Sequence, residues 1–207
     1  MSRYTLYGRP GSGSVAVQIA LEELGASYER VWVGREEADV TAYRALNPTG
    51  RVPALGLPDG SVMFESAAIL IHLSLAHPRA GVAPAAGTPA HARFLQWIVF
   101  MSANLYDAAL RTYYSDRYST LGSEGAESIR RRATEDYRRD LELIAPHLAP
   151  YVLGADYSLA DGYLHMLAGW YPGEPAELHR RVPALAAHAG LVGARPAVAK
   201  AMADNAG

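Results

Sequence analysis

Pro53 is the residue that most limits how this chain can fold. It lies in the run Asn47-Pro48-Thr49-Gly50-Arg51-Val52-Pro53-Ala54-Leu55, between apolar residues at the mouth of a predicted strand. Proline has no N–H to give to a sheet ladder, so it suits a rigid turn, cis or trans. Val52 then keeps its N–H and C=O open to an extended ligand, as peptides are held at sheet edges. Asp59-Gly60 reads as a hairpin turn to a short strand over 61–64. Glu65-Ser66 next opens an apolar helix, whose unpaired N–H groups and dipole attract an anion. Ser66 offers donors to a carboxylate and Glu65 offers acceptors to an ammonium. Together these elements describe a site for a small peptide with a carboxylate.

The surrounding pattern supplies the frame. Residues 3–7 have strand composition and 8–13 form a glycine-rich loop. From Ser14, the residues Val15, Ile19 and Leu24 recur at helical spacing up to Gly25. Residues 28–33 predict a second strand. A strand-helix-strand unit of this length implies a parallel pair with a right-handed crossover. A weak helix over 38–46 ends at Asn47-Pro48, and a helix over 65–76 follows the hairpin. The order is βαβαββα, a thioredoxin-like arrangement with a mixed four-stranded sheet.

Pro78, Pro84, Pro89, Gly81 and Gly87 mark a connection. Beyond it strand signals fade. One helical pattern runs from Thr88-Pro89 through Trp97, Met101, Leu105 and Leu110 to about residue 118. Others cover 124–148 and 159–170; 172–183 reads as a broken connection before short helices end near Met202. The predicted organisation is α/β followed by all-α: a domain over 1–78, a linker over 79–88 and an all-helical domain over 89–207. Ser158-Leu159-Ala160-Asp161 predicts a capping box at a buried helix, a structural feature.

Composition narrows the function. Half of the 207 residues are hydrophobic, 19% are charged and the net charge is −2, which gives no electrostatic case for nucleic acid. Arg130-Arg131-Arg132 sits among Glu127, Glu135 and Asp136, as on a solvated helix face. No leader pattern and no apolar run of about 18 residues is present, so a soluble, cytoplasmic protein without a membrane role is expected. Cysteine is absent, which removes disulfides, thiolate metal sites and thiol exchange by the chain itself. The seven histidines show no metal spacing and read as capping or surface residues; no metal is expected.

The combination of Val52-Pro53, Asp59-Gly60 and Glu65-Ser66 with a helical second half resembles the cytosolic glutathione transferase family, closest in pattern to its bacterial beta class. The resemblance covers nearly the whole chain. It implies that the Val52 main chain before Pro53 pairs with the cysteinyl part of glutathione, and that Glu65 and Ser66 hold the γ-glutamyl group. It further implies glutathione as co-substrate, a small hydrophobic electrophile as second substrate, and a homodimer. Arg51 is a candidate for the glycyl carboxylate, with Arg9 a weaker competitor.

A thiol has a reference pKa near 8.5, so such an enzyme must favour the thiolate, by a hydrogen bond near a positive helix end. The family uses Tyr, Ser or Cys for this. The beta-class cysteine aligns with Gly13, which rules out a cysteine mechanism and leaves Ser12, Ser14 and Tyr7 as candidates. Ser12 ranks first because glycine flanks it on both sides; Ser14 has the alternative of an ordinary N-cap, and Tyr7 of a core tyrosine. Tyr106, Leu110 and Tyr113 share one helical face, which in this family looks onto the second-substrate pocket; beta-class members carry histidine at the position of Tyr106. Two other readings share the fold: a non-catalytic binding module, and a glutathione-dependent isomerase or dehalogenase. The isomerase signature places Ser-Ser-Cys-Ser where this chain has Gly-Ser-Gly-Ser.

Overall fold

The structure is a computed structural model that describes residues 3–206, the side chains of Glu37 and Ala38 excepted. By its internal contacts the chain divides into two units. One holds the residues up to Ala86 and those from Gly193 on; the other runs from Gly87 to Val192.

In the first unit the elements are β1 (Tyr4–Gly8), α1 (Ser14–Glu23), β2 (Tyr28–Trp32), α2 (Glu37–Tyr43), β3 (Ala54–Gly56), β4 (Val62–Phe64) and α3 (Ser66–Ala76). The sheet order is β2-β1-β3-β4, with β1 and β2 parallel and the remaining pairs antiparallel. The mixed βαβαββα sheet read from the sequence is therefore present. Alternation along β1 sends Tyr4 and Leu6 into the main core and turns Tyr7 to the opposite face. Leu6 pairs with Leu55 in register, and the core continues through Ile19, Leu21, Ile69, Leu70 and Leu73, all 1% exposed or less. Helices α1 and α3 pack together over it. A smaller cluster of Val33, Tyr43 and Ala54 gathers Tyr7, Val52, Val62 and Phe64.

The last helix, α10 (Pro196–Asp204), belongs to this first unit and packs on α1. Gln18 donates to Asp204 at 2.7 Å, Arg195 pairs with Glu23 at 2.6 Å, and Lys200 bridges Glu22 and Asp204 at 2.7 and 2.8 Å. The observed second unit thus stops short of the all-helical domain drawn over 89–207, because polar partners on α1 take up the chain's end.

The second unit holds α4 (Pro89–Phe100), a π-helical turn (Met101–Tyr106), α5 (Asp107–Tyr113), α6 (Gly122–Ile144), α7 (Leu159–Ala168), α8 (Pro175–Arg181) and α9 (Pro183–Gly193). Thr88 caps α4, its hydroxyl accepting from His91 N–H at 3.1 Å, and Pro89 fills the first helical position, where no N–H is needed. The single helix expected from Thr88 to about residue 118 is interrupted by the π turn, in which Asn104 donates to the Phe100 carbonyl at 3.0 Å. The connection expected over 172–183 contains α8: Pro175 opens a helix there instead of breaking one.

Helix α7 is apolar on nearly every side and correspondingly buried. Its capping box forms. One oxygen of the fully buried Asp161 accepts from Ser158 N–H and hydroxyl, at 2.8 and 3.0 Å. The other accepts from Val152 N–H at 2.7 Å and meets His188 Nε2 at 3.0 Å. His188 and His91 are therefore buried residues and not the capping or surface histidines expected; for His188 the Asp161 carboxylate satisfies the ring. No helix among the described residues is long and apolar enough to cross a membrane.

Candidate functional site

Strand register brings the predicted motifs to one end of the sheet. Tyr7 stands opposite Ala54, and Ala54 opposite Phe64, so these three form a row across β1, β3 and β4. The chain continues past that row as the loop 8–13, as Pro53 and Val52, and as Glu65 and Ser66. Residues far apart in sequence thus leave the sheet side by side. Tyr106, Leu110 and Tyr113 belong to the second unit.

Loop 8–13 is organised by its own serines. Gly13 is the N-cap of α1, so Ser14 occupies the first helical position and does not cap it. The Ser14 hydroxyl turns back instead: it accepts from Arg9 N–H at 3.2 Å and lies 3.0 Å from the Arg9 carbonyl. It is 2% exposed. Gly8 makes room for it, since a Cβ at Gly8 would come within 2.5 Å of the Ser14 side chain. Ser12 is half-buried, with its hydroxyl 2.7 Å from the same carbonyl and 2.9 Å from Ser14 Oγ. Tyr7 turns elsewhere, its ring tilted against that of Tyr43 at 6.0 Å in the smaller apolar cluster.

The Val52–Pro53 peptide bond is cis. The ladder begins at Ala54, and among the described residues neither the N–H nor the C=O of Val52 meets a hydrogen-bond partner. The approach to it is built by Asn47, 1% exposed, whose Nδ2 donates to the Arg51 carbonyl at 2.6 Å. Its Oδ1 accepts from Thr49 N–H at 3.1 Å and Thr49 Oγ1 at 2.9 Å. Tyr43 Oη donates to the Arg51 carbonyl at 2.9 Å; burial pushes that hydroxyl's pKa up. Asn47, expected only to end a helix, is thus an anchor, and its place two and four residues before Thr49 and Arg51 is the signal for it. The Arg51 side chain is exposed, whereas Arg9 is committed, donating to the Val33 and Gly34 carbonyls at 2.8 and 2.7 Å.

Glu65 is the one non-glycine residue with positive φ among the described residues, at φ 72°. Such a conformation costs about 1–3 kcal/mol and is found where binding geometry demands it. Its carboxylate is exposed, while Ser66 behind it is buried at the start of α3. Ile69 N–H reaches back to the Glu65 carbonyl, so the helical ladder starts with Glu65 as acceptor.

In the second unit Tyr106 and Tyr113 both converge on Trp170. The Tyr106 ring meets it edge-on at 5.5 Å, and Tyr113 Oη donates to its carbonyl at 2.7 Å. Leu110 is half-buried between them on the same helical face. Trp170, just past α7, is part of this aromatic face and was not singled out from the sequence. Among the described residues no group of three or more His, Asp or Glu has the geometry of a metal site.

Residues 14–75 match the family model for the glutathione S-transferase N-terminal domain. The GST-like protein YncG of Escherichia coli K12 is 30% identical over 174 residues, covering 81% of this chain and 82% of that protein. The chain belongs to the glutathione S-transferase family. A Sulfitobacter glutathione transferase homolog, crystallised with bound glutathione, superposes with a TM-score of 0.87 at 30% identity over 99% of both chains. A sphingomonad glutathione S-transferase complexed with glutathione gives 0.79 at 32% identity, over 97% of this chain and 98% of that one. The transferase fold, a thioredoxin-like domain followed by helices, is thus shared along essentially the full length.

Proposed function

We propose that this protein is a glutathione transferase that joins the glutathione thiolate to a small hydrophobic electrophile. The observation that carries the reading is the row Tyr7–Ala54–Phe64, from which the serine loop, Val52-Pro53 and Glu65-Ser66 all emerge together. The open main chain of Val52 suits two hydrogen bonds to the cysteinyl residue of glutathione. The exposed carboxylate of Glu65 suits the γ-glutamyl ammonium, and Ser66 with the N-terminus of α3 suits its carboxylate. Arg51 extends from the same segment toward a glycyl carboxylate; Arg9, already bonded to two carbonyls, does not compete.

In the reaction the thiol proton passes to solvent, Ser12 donates to the resulting thiolate, and the sulfur attacks the electrophile as its leaving group departs with the bonding pair. Holding both reactants in place supplies much of the rate. Ser12 is the donor of choice because Ser14 is sealed inside the loop and Tyr7 is turned into an apolar cluster. Tyr106, Leu110 and Tyr113, joined by Trp170, form the aromatic wall for the electrophile. A thioredoxin-like domain over 1–78, a linker over 79–88 and a helical domain from 89 whose last helix, α10, returns to the first unit, with a homodimer, a cytoplasmic location and a detoxifying role, complete the proposal.

Retention on immobilised glutathione, followed by an assay with a chloronitrobenzene acceptor, tests it. Binding with turnover supports the transferase; no retention rejects it and favours the non-catalytic module.

A further inference from the structure

We infer that Tyr43 and Asn47 are positioning residues that aim the Val52 N–H at the ligand, through the carbonyl of the preceding residue. This rests on the glutathione reading of the site, but its geometric part stands without it.

The Arg51–Val52 bond is trans, so the carbonyl of Arg51 and the N–H of Val52 share one plane and point in opposite directions. Whatever fixes the carbonyl therefore fixes the N–H. Two donors converge on that oxygen, Asn47 Nδ2 at 2.6 Å and Tyr43 Oη at 2.9 Å. Two directions of approach hold the plane against rotation better than one.

The donors are themselves immobilised. Asn47 is 1% exposed and its carbonyl oxygen is engaged by both the N–H and hydroxyl of Thr49. Thr49 Oγ1 in turn accepts from Arg51 N–H at 3.2 Å, which closes a ring of bonds around the segment 47–51. Tyr43 is 4% exposed, ends α2 and is packed against Val33 and Ala54. A binding group on an irregular segment outside the ladder is thus tied to a helix and to the sheet. That is how a loop donor is preorganised.

Two substitutions separate aim from stability. Tyr43→Phe deletes one donor and keeps the ring. Asn47→Asp keeps the acceptor for Thr49 but sets an oxygen against the Arg51 carbonyl. Nitrogen-15 relaxation of the free protein reads the Val52 amide directly. The expected order parameter is about 0.85 in the parent protein and below about 0.6 in the double variant. An amide equally rigid in both overturns the inference whether or not glutathione binds.

Glutathione titration then reads the consequence. Each single substitution should raise the KM for glutathione about 3- to 10-fold, as loss of one hydrogen bond does. The KM for the chloronitrobenzene and the kcat at saturating glutathione should hold. A parallel fall of kcat and both affinities together with the melting temperature would mark a merely structural role and overturn the inference. A parent protein that fails to bind glutathione rejects the functional reading, while the Val52 amide still decides the clamp.

Discussion

Ser12 and Ser14 share a single acceptor: their hydroxyl oxygens lie 2.7 and 3.0 Å from the Arg9 carbonyl and 2.9 Å from each other. Two hydroxyls carry two protons. The carbonyl can accept from both, and either serine can instead donate to the other. If Ser14 takes the carbonyl, the Ser12 proton is released for an outside acceptor without leaving Arg9 unpaired. On the proposed reading of the site, the half-buried Ser12 is then the member placed to donate.

Ser12→Ala should therefore raise the pKa of the bound glutathione thiol by about 1–2 units. A hydrogen bond to a charged acceptor contributes about 1.5–3 kcal/mol, and each unit corresponds to about 1.36 kcal/mol. Affinity for glutathione should hold while turnover at neutral pH falls about tenfold or more. Ser14→Ala should instead cost about 1–3 kcal/mol of stability by stranding the Arg9 N–H. Ultraviolet titration of the bound thiolate and thermal melting read the two effects; identical behaviour of the variants would remove the assignment of Ser12.

Glu65 holds its positive φ with a side chain that does not favour it. Glu65→Gly should be more stable than Glu65→Ala by about 1 kcal/mol, because glycine alone is relaxed there. Both lose the carboxylate, so both should lose glutathione affinity equally. Melting curves and isothermal titration of the pair check this; a difference in affinity with no difference in stability would contradict it.

The frame of the site was legible because it depends on local chemistry. Pro53 cannot extend a ladder, Asp59-Gly60 turns a hairpin, and Ser14 onward repeats at helical spacing. What escaped was long-range or conformational. Nothing near Glu65 announces a positive φ, and Asn47 beside Pro48 looks like a terminator until its two partners are in place. The docking of α10 on α1 joins Gln18 to Asp204, residues 186 apart, which no periodicity encodes. The stretch 172–183 reads as a broken connection, although a proline such as Pro175 suits the first helical position equally well.

Asp161 concentrates four donors on one buried carboxylate. Asp161→Ala leaves the Val152 and Ser158 N–H groups and His188 without it, and should cost about 3–5 kcal/mol. Ser158→Ala removes less, about 1 kcal/mol. With a shift of roughly 2–4 °C per kcal/mol in a protein of this size, the two are well resolved by calorimetry. Equal shifts would mean that the cap and the carboxylate hub are not separable.

The attachment of α10 should weaken from both ends of the pH scale. Asp204 is held below the usual carboxylate range, first by its bond from Lys200, with Arg30 adding to it. A depressed carboxylate contributes stability above its unfolded pKa and loses it as pH falls through the folded one, so the helix should loosen below about pH 4. Tyr28 moves the other way. Burial, then its bond to Glu22, pushes its hydroxyl up to about 12. A raised tyrosine binds more protons when folded, so its contribution is complete below pH 10 and drains between pH 10 and about 12. Limited proteolysis of the C-terminal segment against pH should show protection at neutral pH and cleavage at both extremes. Tyr28→Phe should shrink the alkaline limb to the part that Lys200, also raised by its bonds to Asp204 and Glu22, contributes, and leave the acid limb in place, because phenylalanine cannot ionise beside Glu22 while Asp204 still can. An alkaline limb unchanged by that substitution would assign it to other groups.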